Sequence, residues 1–183
     1  MPYLYAEHTL YMNTASSTFV RTAWVFGLIK GIIACLFFVA ISEKWIDKSI
    51  LTTITSSVLA IVTIVLPILK IKTEQENQIT LQQGIKMGLA VAAIGAVLYG
   101  IYMYIHITTI DPDYVDTIKK VSEKAVYDQP NLSDEEKEAQ LAISHKMTSP
   151  GLIATFSTLA SLFFGFVITM ITSAIVKNQS SLA

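Results

Sequence analysis

Charged residues are scarce in this chain. Of its 183 residues, 15% are Asp, Glu, Lys or Arg, whereas 52% are hydrophobic. A soluble domain carries about 25% charged residues, so this protein has too few charges for a surface covered by water alone. Its 13 basic and 14 acidic residues are nearly balanced, which excludes the basic face of a nucleic-acid-binding protein. We therefore expect a lipid bilayer, and no nucleic acid, among its partners.

Cysteine is nearly absent, because Cys35 is the only one in the sequence. A single cysteine excludes a disulfide framework, a Cys-x-x-Cys redox pair and a cysteine-rich zinc site within one chain. His8 and His145 have no other His or carboxylate at metal-ligand spacing. The His-Glu-x-x-His, Gly-x-Ser-x-Gly, P-loop and dinucleotide-binding motifs are missing as well. We therefore expect a protein that is not an enzyme and that holds no metal or other cofactor.

Long apolar runs are abundant, although none lies in the first twenty residues, where we expect no cleavable signal peptide. Four windows reach the roughly 20 residues needed to cross a bilayer. Backbone groups in hydrocarbon must bond within their own segment, so the windows should be helices. The alternative is a buried helix of a soluble protein, which the window lengths disfavour. The windows are 22–41, 50–69, 87–107 and 151–176.

Capping signals refine the ends of these helices. Thr80 and Gln83 form a capping box, which starts the third helix near Leu81. Ser149 and Pro150 supply an N-cap and a proline at the first helical position. We expect Pro67 to help end the second helix. The sequence thus predicts an all-α membrane protein, one integral domain over 1–183, with transmembrane spans 22–41, 50–69, 81–107 and 150–176.

The connection between the third and fourth spans is long and polar. Asp111-Pro112-Asp113 should cap a first helix, and Ser133 with Glu136 forms a capping box for a second. We therefore predict an amphipathic helical hairpin over 111–148 at the membrane surface, with a disordered loop as the alternative. The expected apolar face of its first helix consists of Tyr114, Ile118, Val121 and Ala125.

Small residues recur every four positions on three of the helices. Such rows let helix backbones approach closely in lipid, so we expect the third and fourth spans to meet along theirs, with the hydroxyl groups bonding carbonyls or each other. The rows indicate packing and imply no chemistry. They comprise Ala23, Gly27, Gly31 and Cys35 in the first span, Gly84, Gly88, Ala92, Ala96 and Gly100 in the third helix, and Ser157, Ser161, Gly165, Thr169 and Ser173 in the fourth.

Lys30 is a charged residue inside the first span. It lies about 13–17 Å from either end of that span at 1.5 Å per residue, close to the middle of the membrane. A lysine there costs roughly 2.5–3.5 kcal/mol on insertion scales, which makes it a candidate functional residue. The alternative is a structural or lipid-contacting lysine that extends its ammonium group to the interface. No Asp or Glu lies in the spans to pair with it.

A second candidate group lies at the end of the third span. His106, Tyr99 and Tyr102 share one helix face, just before Asp111 and Asp113. Such a group suits a proton relay or the mouth of a cation pathway. The alternative is a belt of aromatic residues at the headgroup level followed by a capped helix, and the neighbouring Tyr104 favours it.

Four stretches follow one another in a recognisable order: GLIKGIIACLFF (27–38), ITLQQGIKMGLAVAAIGAVLYGIY (79–102), IDPDY (110–114) and TSPGLIATFSTLASLFFGFVITMITSAIVKN (148–178). In this order the chain resembles domain-of-unknown-function family 4199, four-span integral membrane proteins of Bacteroidetes-type bacteria. The most specific pieces are Asp111-Pro112-Asp113 and Ser149-Pro150-Gly151. The resemblance implies a four-helix membrane fold in the inner membrane and implies no activity, substrate or catalytic residue. Lys30 is not part of the family pattern.

Two functions from different classes remain open. The first is a small non-enzymatic accessory or scaffold subunit whose hairpin contacts a protein partner or lipid headgroups. The second is an oligomeric carrier or channel for a small solute or ion, using Lys30 and the region of His106 and Asp111. The partner would be a second copy of the chain or an unidentified membrane protein.

The distribution of basic residues bears on orientation. Five basic residues on the side of the termini lie within three residues of a span, which favours cytoplasmic termini under the positive-inside rule. A plain count over roughly 15–20 residues from the span ends gives five against seven and favours the reverse. We expect cytoplasmic termini, because the lysines of the long connection are interleaved with acids. The five are Arg21, Lys70, Lys72, Lys86 and Lys177.

Overall fold

The computed structural model describes residues 2–47 and 49–177, with side chains described over 17–47 and 49–177. The described residues are about 86% helical and contain no strand. Four helical segments are long and apolar enough to cross a membrane: Ser17–Ser42, Ile50–Glu74, Leu81–Ile110 and Pro150–Val176. The predicted all-α class with four such helices is therefore confirmed.

Six α-helices and one π-helical turn make up the described chain. The long connection between the third and fourth apolar helices is a pair of helices, as predicted, and is not a disordered loop. The elements are α1 (Pro2–Ser42), α2 (Ile50–Glu74), α3 (Leu81–Ile105), the π-helical turn (His106–Ile110), α4 (Asp113–Tyr127), α5 (Asp134–Met147) and α6 (Pro150–Val176).

The predicted helix starts are confirmed at three places. The Thr80 N–H donates to Gln83 Oε1 over 2.9 Å and the Gln83 N–H to Thr80 Oγ1 over 3.2 Å, so α3 begins at Leu81. Ser133 and Glu136 form the reciprocal capping box of α5. The last apolar helix, α6, begins at Pro150. At α3 and α5 side-chain oxygens accept from N–H groups that the first helical turn leaves free, and at α6 the first residue is a proline, which has no N–H to satisfy.

The prediction that Pro67 helps end the second helix is wrong. Pro67 is buried inside α2, which continues to Glu74. A proline removes one backbone hydrogen bond, and transmembrane helices tolerate this loss when neighbouring helices enclose the site. The helix ends where Glu76 and Asn77 adopt left-handed conformations, with φ of 53° and 62°. The Gln75 N–H bonds back to the carbonyls of Ile71 and Lys72 there.

The predicted cap of the first hairpin helix is also wrong. Pro112 is the N-cap of α4, and no side chain caps this helix. The reason is the π-helical turn, in which the Asp111 N–H donates to the His106 carbonyl five residues back over 2.8 Å. Asp111 therefore closes the preceding helix, while Asp113 lies in the first turn of α4 beside the positive end of its dipole.

The buried face of α4 is shifted from the one expected. Val115 and Val126 are buried, whereas Val121 is 65% exposed and Ala125 is exposed too. Ile118 is half-buried and lies between the predicted row and the buried one. The helix remains amphipathic, but its buried row contains Val115 and Val126 and lies next to the predicted row.

The chain forms two compact units. One unit contains residues 1–99 and 161–183, and its core consists of Ala23, Ile64, Ile68, Ile71, Ile79, Met87 and Val91. The other contains residues 100–160, with the π-helical turn and the hairpin of α4 and α5. Inside this second unit, His145 Nε2 lies 2.7 Å from Glu123 Oε1 and joins the two hairpin helices.

Candidate functional site

Glycines let α3 and α6 approach closely. A Cβ atom added to Gly84 would lie 2.7 Å from Ser173 Oγ, and one added to Gly88 would lie 2.5 Å from Thr169 Oγ1. A Cβ atom added to Gly165 would lie 2.6 Å from the Cβ of Ala92. These separations are far below van der Waals contact, so the three glycines have no room for a side chain. From one pair to the next, the residue number rises by four in α3 and falls by four in α6, as antiparallel helices require.

Two hydroxyl groups in this contact do not form the hydrogen bonds expected from the sequence. Thr169 Oγ1 and Ser173 Oγ are buried, and neither has a hydrogen-bond partner among the described residues. Each oxygen lies within 2.7 Å of the point where a Cβ atom would stand on Gly88 or Gly84, so it packs against the Cα of the facing glycine. Weak Cα–H···O contacts recur between closely packed helices and contribute about 0.5–1 kcal/mol each.

The row of small residues continues into the second unit. Gly100 faces Thr158, whose hydroxyl donates to the Ala154 carbonyl over 2.8 Å. The contact thus involves Thr158 and not the neighbouring Ser157 of the predicted row. Ala92 and Ala96, in the first unit, are both completely enclosed.

The small residues of α1 face α3. A Cβ atom added to Gly27 would lie 2.6 Å from the Cβ of Ile94, and one added to Gly31 would lie 2.6 Å from Leu98 Cδ2. Gly95 contributes to the same contact, because its added Cβ atom would lie 3.1 Å from the Gly27 carbonyl oxygen. Gly95 lies off the row of Ala92 and Ala96, so the four-residue spacing of small residues gives it no role in the sequence.

Lys30 is enclosed within the first unit. It is only 7% exposed, so the surrounding helices enclose the side chain. The aliphatic part of the side chain passes over Gly95, whose added Cβ atom would lie 3.0 Å from Lys30 Cγ and Cδ. The ammonium group then donates to Ser161 Oγ over 3.1 Å. A single side chain of α1 therefore crosses α3 and reaches α6.

The electrostatics of this arrangement are unusual. Among the described residues, no carboxylate lies within 4.0 Å of Lys30 Nζ. A buried ammonium group loses its hydration, and one hydroxyl acceptor replaces only part of it. Ser161 was assigned to the packing row in the sequence, but nothing in its spacing identified it as the partner of Lys30.

The second candidate group is divided by the structure. Tyr102 OH lies 3.2 Å from His106 Nδ1, and the imidazole is almost completely buried. Tyr99 belongs to the other unit and makes an edge-to-face contact with Phe38, with 6.2 Å between ring centroids. Asp113 is exposed on α4, whereas Asp111 is half-buried. Burial, together with the negative charge of Asp111, raises the pKa of Tyr114 above its usual value of 10.0.

Metal chemistry finds no support within the described residues, where no three His, Cys, Asp or Glu side chains lie close enough to hold an ion. His8 lies outside the described side chains. His145 is engaged with Glu123 alone.

Comparison with known proteins identifies a family without a known activity. The model of the family described as "Protein of unknown function (DUF4199)" matches residues 25–178. No curated protein and no solved structure matches the chain. The matched range includes all four apolar helices from Val25 onward and the hairpin between the last two.

Proposed function

Since this chain belongs to DUF4199, a family of proteins of unknown function, we propose from its own structure that it is a non-enzymatic accessory or scaffold subunit of the bacterial inner membrane. The four apolar helices cross the bilayer as a four-helix bundle, and the source is a Bacteroidetes-type bacterium. The hairpin of α4 and α5 lies outside the lipid and contacts a protein partner or lipid headgroups.

The distribution of exposed side chains supports the membrane location. Large apolar side chains on the apolar helices face outward, among them Trp24 at 54% exposure and Phe163 at 61%. Exposed apolar surface costs about 25 cal/mol per Å² in water, a cost that lipid removes. The hairpin differs sharply, because its outer surface carries most of the acidic residues of the chain.

One contact and one exposed lysine support orientation of the termini toward the cytoplasm. Lys72 donates to the Val176 carbonyl over 3.1 Å and so places a cation at the negative end of the α6 dipole. Lys177 follows directly and is exposed. Basic residues from α2 and α6 therefore lie at one end of the first unit, the distribution that cytoplasmic ends of spans display.

The hairpin is the part that suits partner binding, because large apolar side chains are exposed on helices that lie outside the four apolar segments. They are Val121 and Ile143, each 65% exposed, Tyr127 at 62% and Met147 at 45%. In the proposed location lipid does not cover these side chains, and apolar patches rimmed by polar residues mark protein contact sites.

Photo-cross-linking in native membranes tests this proposal. A benzophenone amino acid replaces Val121 on the hairpin or, as the control, Phe163 on the outward face of α6. We expect a discrete protein adduct from position 121 and only lipid adducts from position 163, with the partner identified by mass spectrometry. An adduct of twice the monomer mass identifies a second copy of the chain. Equal adducts from both positions, or none from 121, would contradict the proposal.

A second function is favoured by one observation, the enclosed Lys30 with a single hydroxyl acceptor. Intramembrane cations of this type often mark solute or ion pathways. An oligomeric carrier or channel would use Lys30 and the region of His106 and Asp111. The test is solute and ion flux into liposomes containing the purified protein. Flux that disappears in Lys30→Met, but persists in Lys120→Gln, supports transport, and the absence of flux in the wild type excludes it.

A further inference from the structure

Two cations lie at nearly the same height on neighbouring helices. The contacts of Gly27 with Ile94 and of Gly31 with Leu98 both join residues 67 positions apart, so α1 and α3 are parallel. This register places Arg21 level with Gly88. Lys86 is therefore two residues, about 3 Å, closer to the start of α3 than the level of Arg21.

These two cations also lie on the same side of the helix pair. A helix turns about 100° per residue, so Arg21 lies roughly 100° around α1 from the mean direction of Gly27 and Gly31, which contact α3. Lys86 lies roughly 100° around α3 from Ile94 and Leu98, in the opposite sense. Because the helices are parallel, opposite rotations bring both residues to one side. Both side chains are exposed.

Neither cation forms an ion pair with a described carboxylate. Over the described part of the chain, no carboxylate lies within 4.0 Å of the Arg21 guanidinium or the Lys86 ammonium group. Two like charges on adjacent helices repel each other, and an anion between them turns that repulsion into attraction. Planar guanidinium and compact ammonium groups are both established partners of phosphate oxygens.

The surface next to the cations is apolar on both helices. The residues four, seven and eleven positions after Arg21 lie on the same face of α1 as Arg21. The residues four, seven and eleven positions after Lys86 likewise lie on the same face of α3 as Lys86. All six side chains are aliphatic and form one apolar surface beside the cations. These residues are Val25, Leu28 and Ile32 on α1, and Ala90, Ala93 and Val97 on α3.

We propose that this face of α1 and α3 binds one anionic phospholipid. Its phosphate lies between Arg21 and Lys86, and its acyl chains lie along the apolar surface. The inference rests on the proposed membrane location and adds a lipid of defined charge. The apolar surface is more than 15 Å long, at about 1.5 Å per residue over eleven residues, which matches an acyl chain, whereas a free phosphate ion would contact only the cations.

Native mass spectrometry of the full-length protein tests the lipid site. Protein purified in a zwitterionic detergent is titrated with phosphatidylglycerol or phosphatidylcholine of the same acyl chains. We expect preferential retention of phosphatidylglycerol, and about a fivefold loss of affinity for each neutralised cation, hence roughly 25-fold in Arg21→Gln/Lys86→Gln. The matched control, Lys120→Gln/Lys124→Gln, removes the same charge from exposed positions on α4 and should retain the lipid as the wild type does.

Several outcomes would overturn the lipid site. Equal retention of both lipids by the wild type would do so, as would an equal loss in the control variant. Displacement of phosphatidylglycerol by excess inorganic phosphate would indicate a site for the free anion. Alkaline extraction of membranes separates this inference from the proposed location. If the wild type stays in the membrane but shows no preference for the anionic lipid, only the lipid site fails.

Discussion

Lys30 Nζ and Ser161 Oγ are 3.1 Å apart although 131 residues separate them in the sequence. The hydrogen bond passes over Gly95, the one position of α3 whose lack of a side chain makes room for the lysine. Three helices of the first unit are therefore joined by one side chain. The first prediction concerns what each of these residues contributes to stability.

Removing the acceptor should destabilise the protein more than removing the charge. Ser161→Ala leaves a buried ammonium group without its partner, which costs about 1–3 kcal/mol. Lys30→Met keeps a side chain of similar length and removes the cost of burying the charge, and the Ser161 hydroxyl left behind can bond a carbonyl of its own helix, so we expect a smaller loss. Thermal unfolding in detergent measures both. A lower midpoint for Lys30→Met than for Ser161→Ala would contradict this account of the hydrogen bond.

Gly165 has no space for a side chain, whereas Phe163, two residues earlier, faces outward. Gly165→Leu should separate α3 from α6 and destabilise the protein by about 1–3 kcal/mol or more, the range observed for overpacked cores. Phe163→Leu should change the unfolding midpoint little. Thermal unfolding of the two variants in the same detergent checks the prediction, and equal midpoints would show that the close approach at Ala92 is unimportant.

The start of α5 should become less stable in acid. The Glu136 carboxylate accepts hydrogen bonds from the backbone N–H and the hydroxyl of Ser133, which lowers its pKa below the usual 4.5. The stabilisation is therefore present above pH 4.5 and is lost as the pH falls through the lowered value. Amide hydrogen exchange at residues 134–137 measures this loss.

The control for this pH dependence is Glu136→Gln, which keeps an acceptor oxygen but cannot titrate. Protection factors at residues 134–137, which correct for the intrinsic pH dependence of exchange, should stay constant in this variant over the same acid range. An equally strong acid effect in Glu136→Gln would assign the titration to another group of the hairpin.

Orientation can be measured with single cysteines in a Cys35→Ala background. Gln129 lies at the tip of the hairpin and Glu76 in the connection between α2 and α3, and both are exposed. With cytoplasmic termini, a membrane-impermeant thiol reagent should label the cysteine at 129 in cells stripped of their outer membrane and leave the one at 76 unlabelled. The opposite labelling would reverse the orientation.

The sequence predicted the helices well because their causes are local. Apolar length sets the spans, and the hydroxyl and carboxamide groups at Thr80 and Gln83 act within one turn of α3. Prediction was weaker where packing against a neighbouring helix determines the structure. The hydrogen bond lost at Pro67 is evident from the sequence and predicts the end of α2, whereas the burial of Pro67 is not evident. The buried row of α4 likewise depended on how it packs against α5.

The candidate site shows the same division. The position of Lys30 in the middle of a span was evident from counting residues, but its partner was not. Ser161 and Gly95 become neighbours of Lys30 only through the crossing of three helices. For His106, the four-residue spacing from Tyr102 indicated their contact, while the π-helical turn that follows gave no recognisable signal.

The contact between Lys30 and Ser161 has a consequence for how the protein is made. Ribosomes complete α1 long before α6, so the lysine enters the membrane when its acceptor has not yet been synthesised. The nascent chain must meanwhile rely on water, lipid phosphate or the insertion machinery to solvate that ammonium group. A chain truncated before Pro150 never gains the acceptor, and its ammonium group keeps this need for solvation.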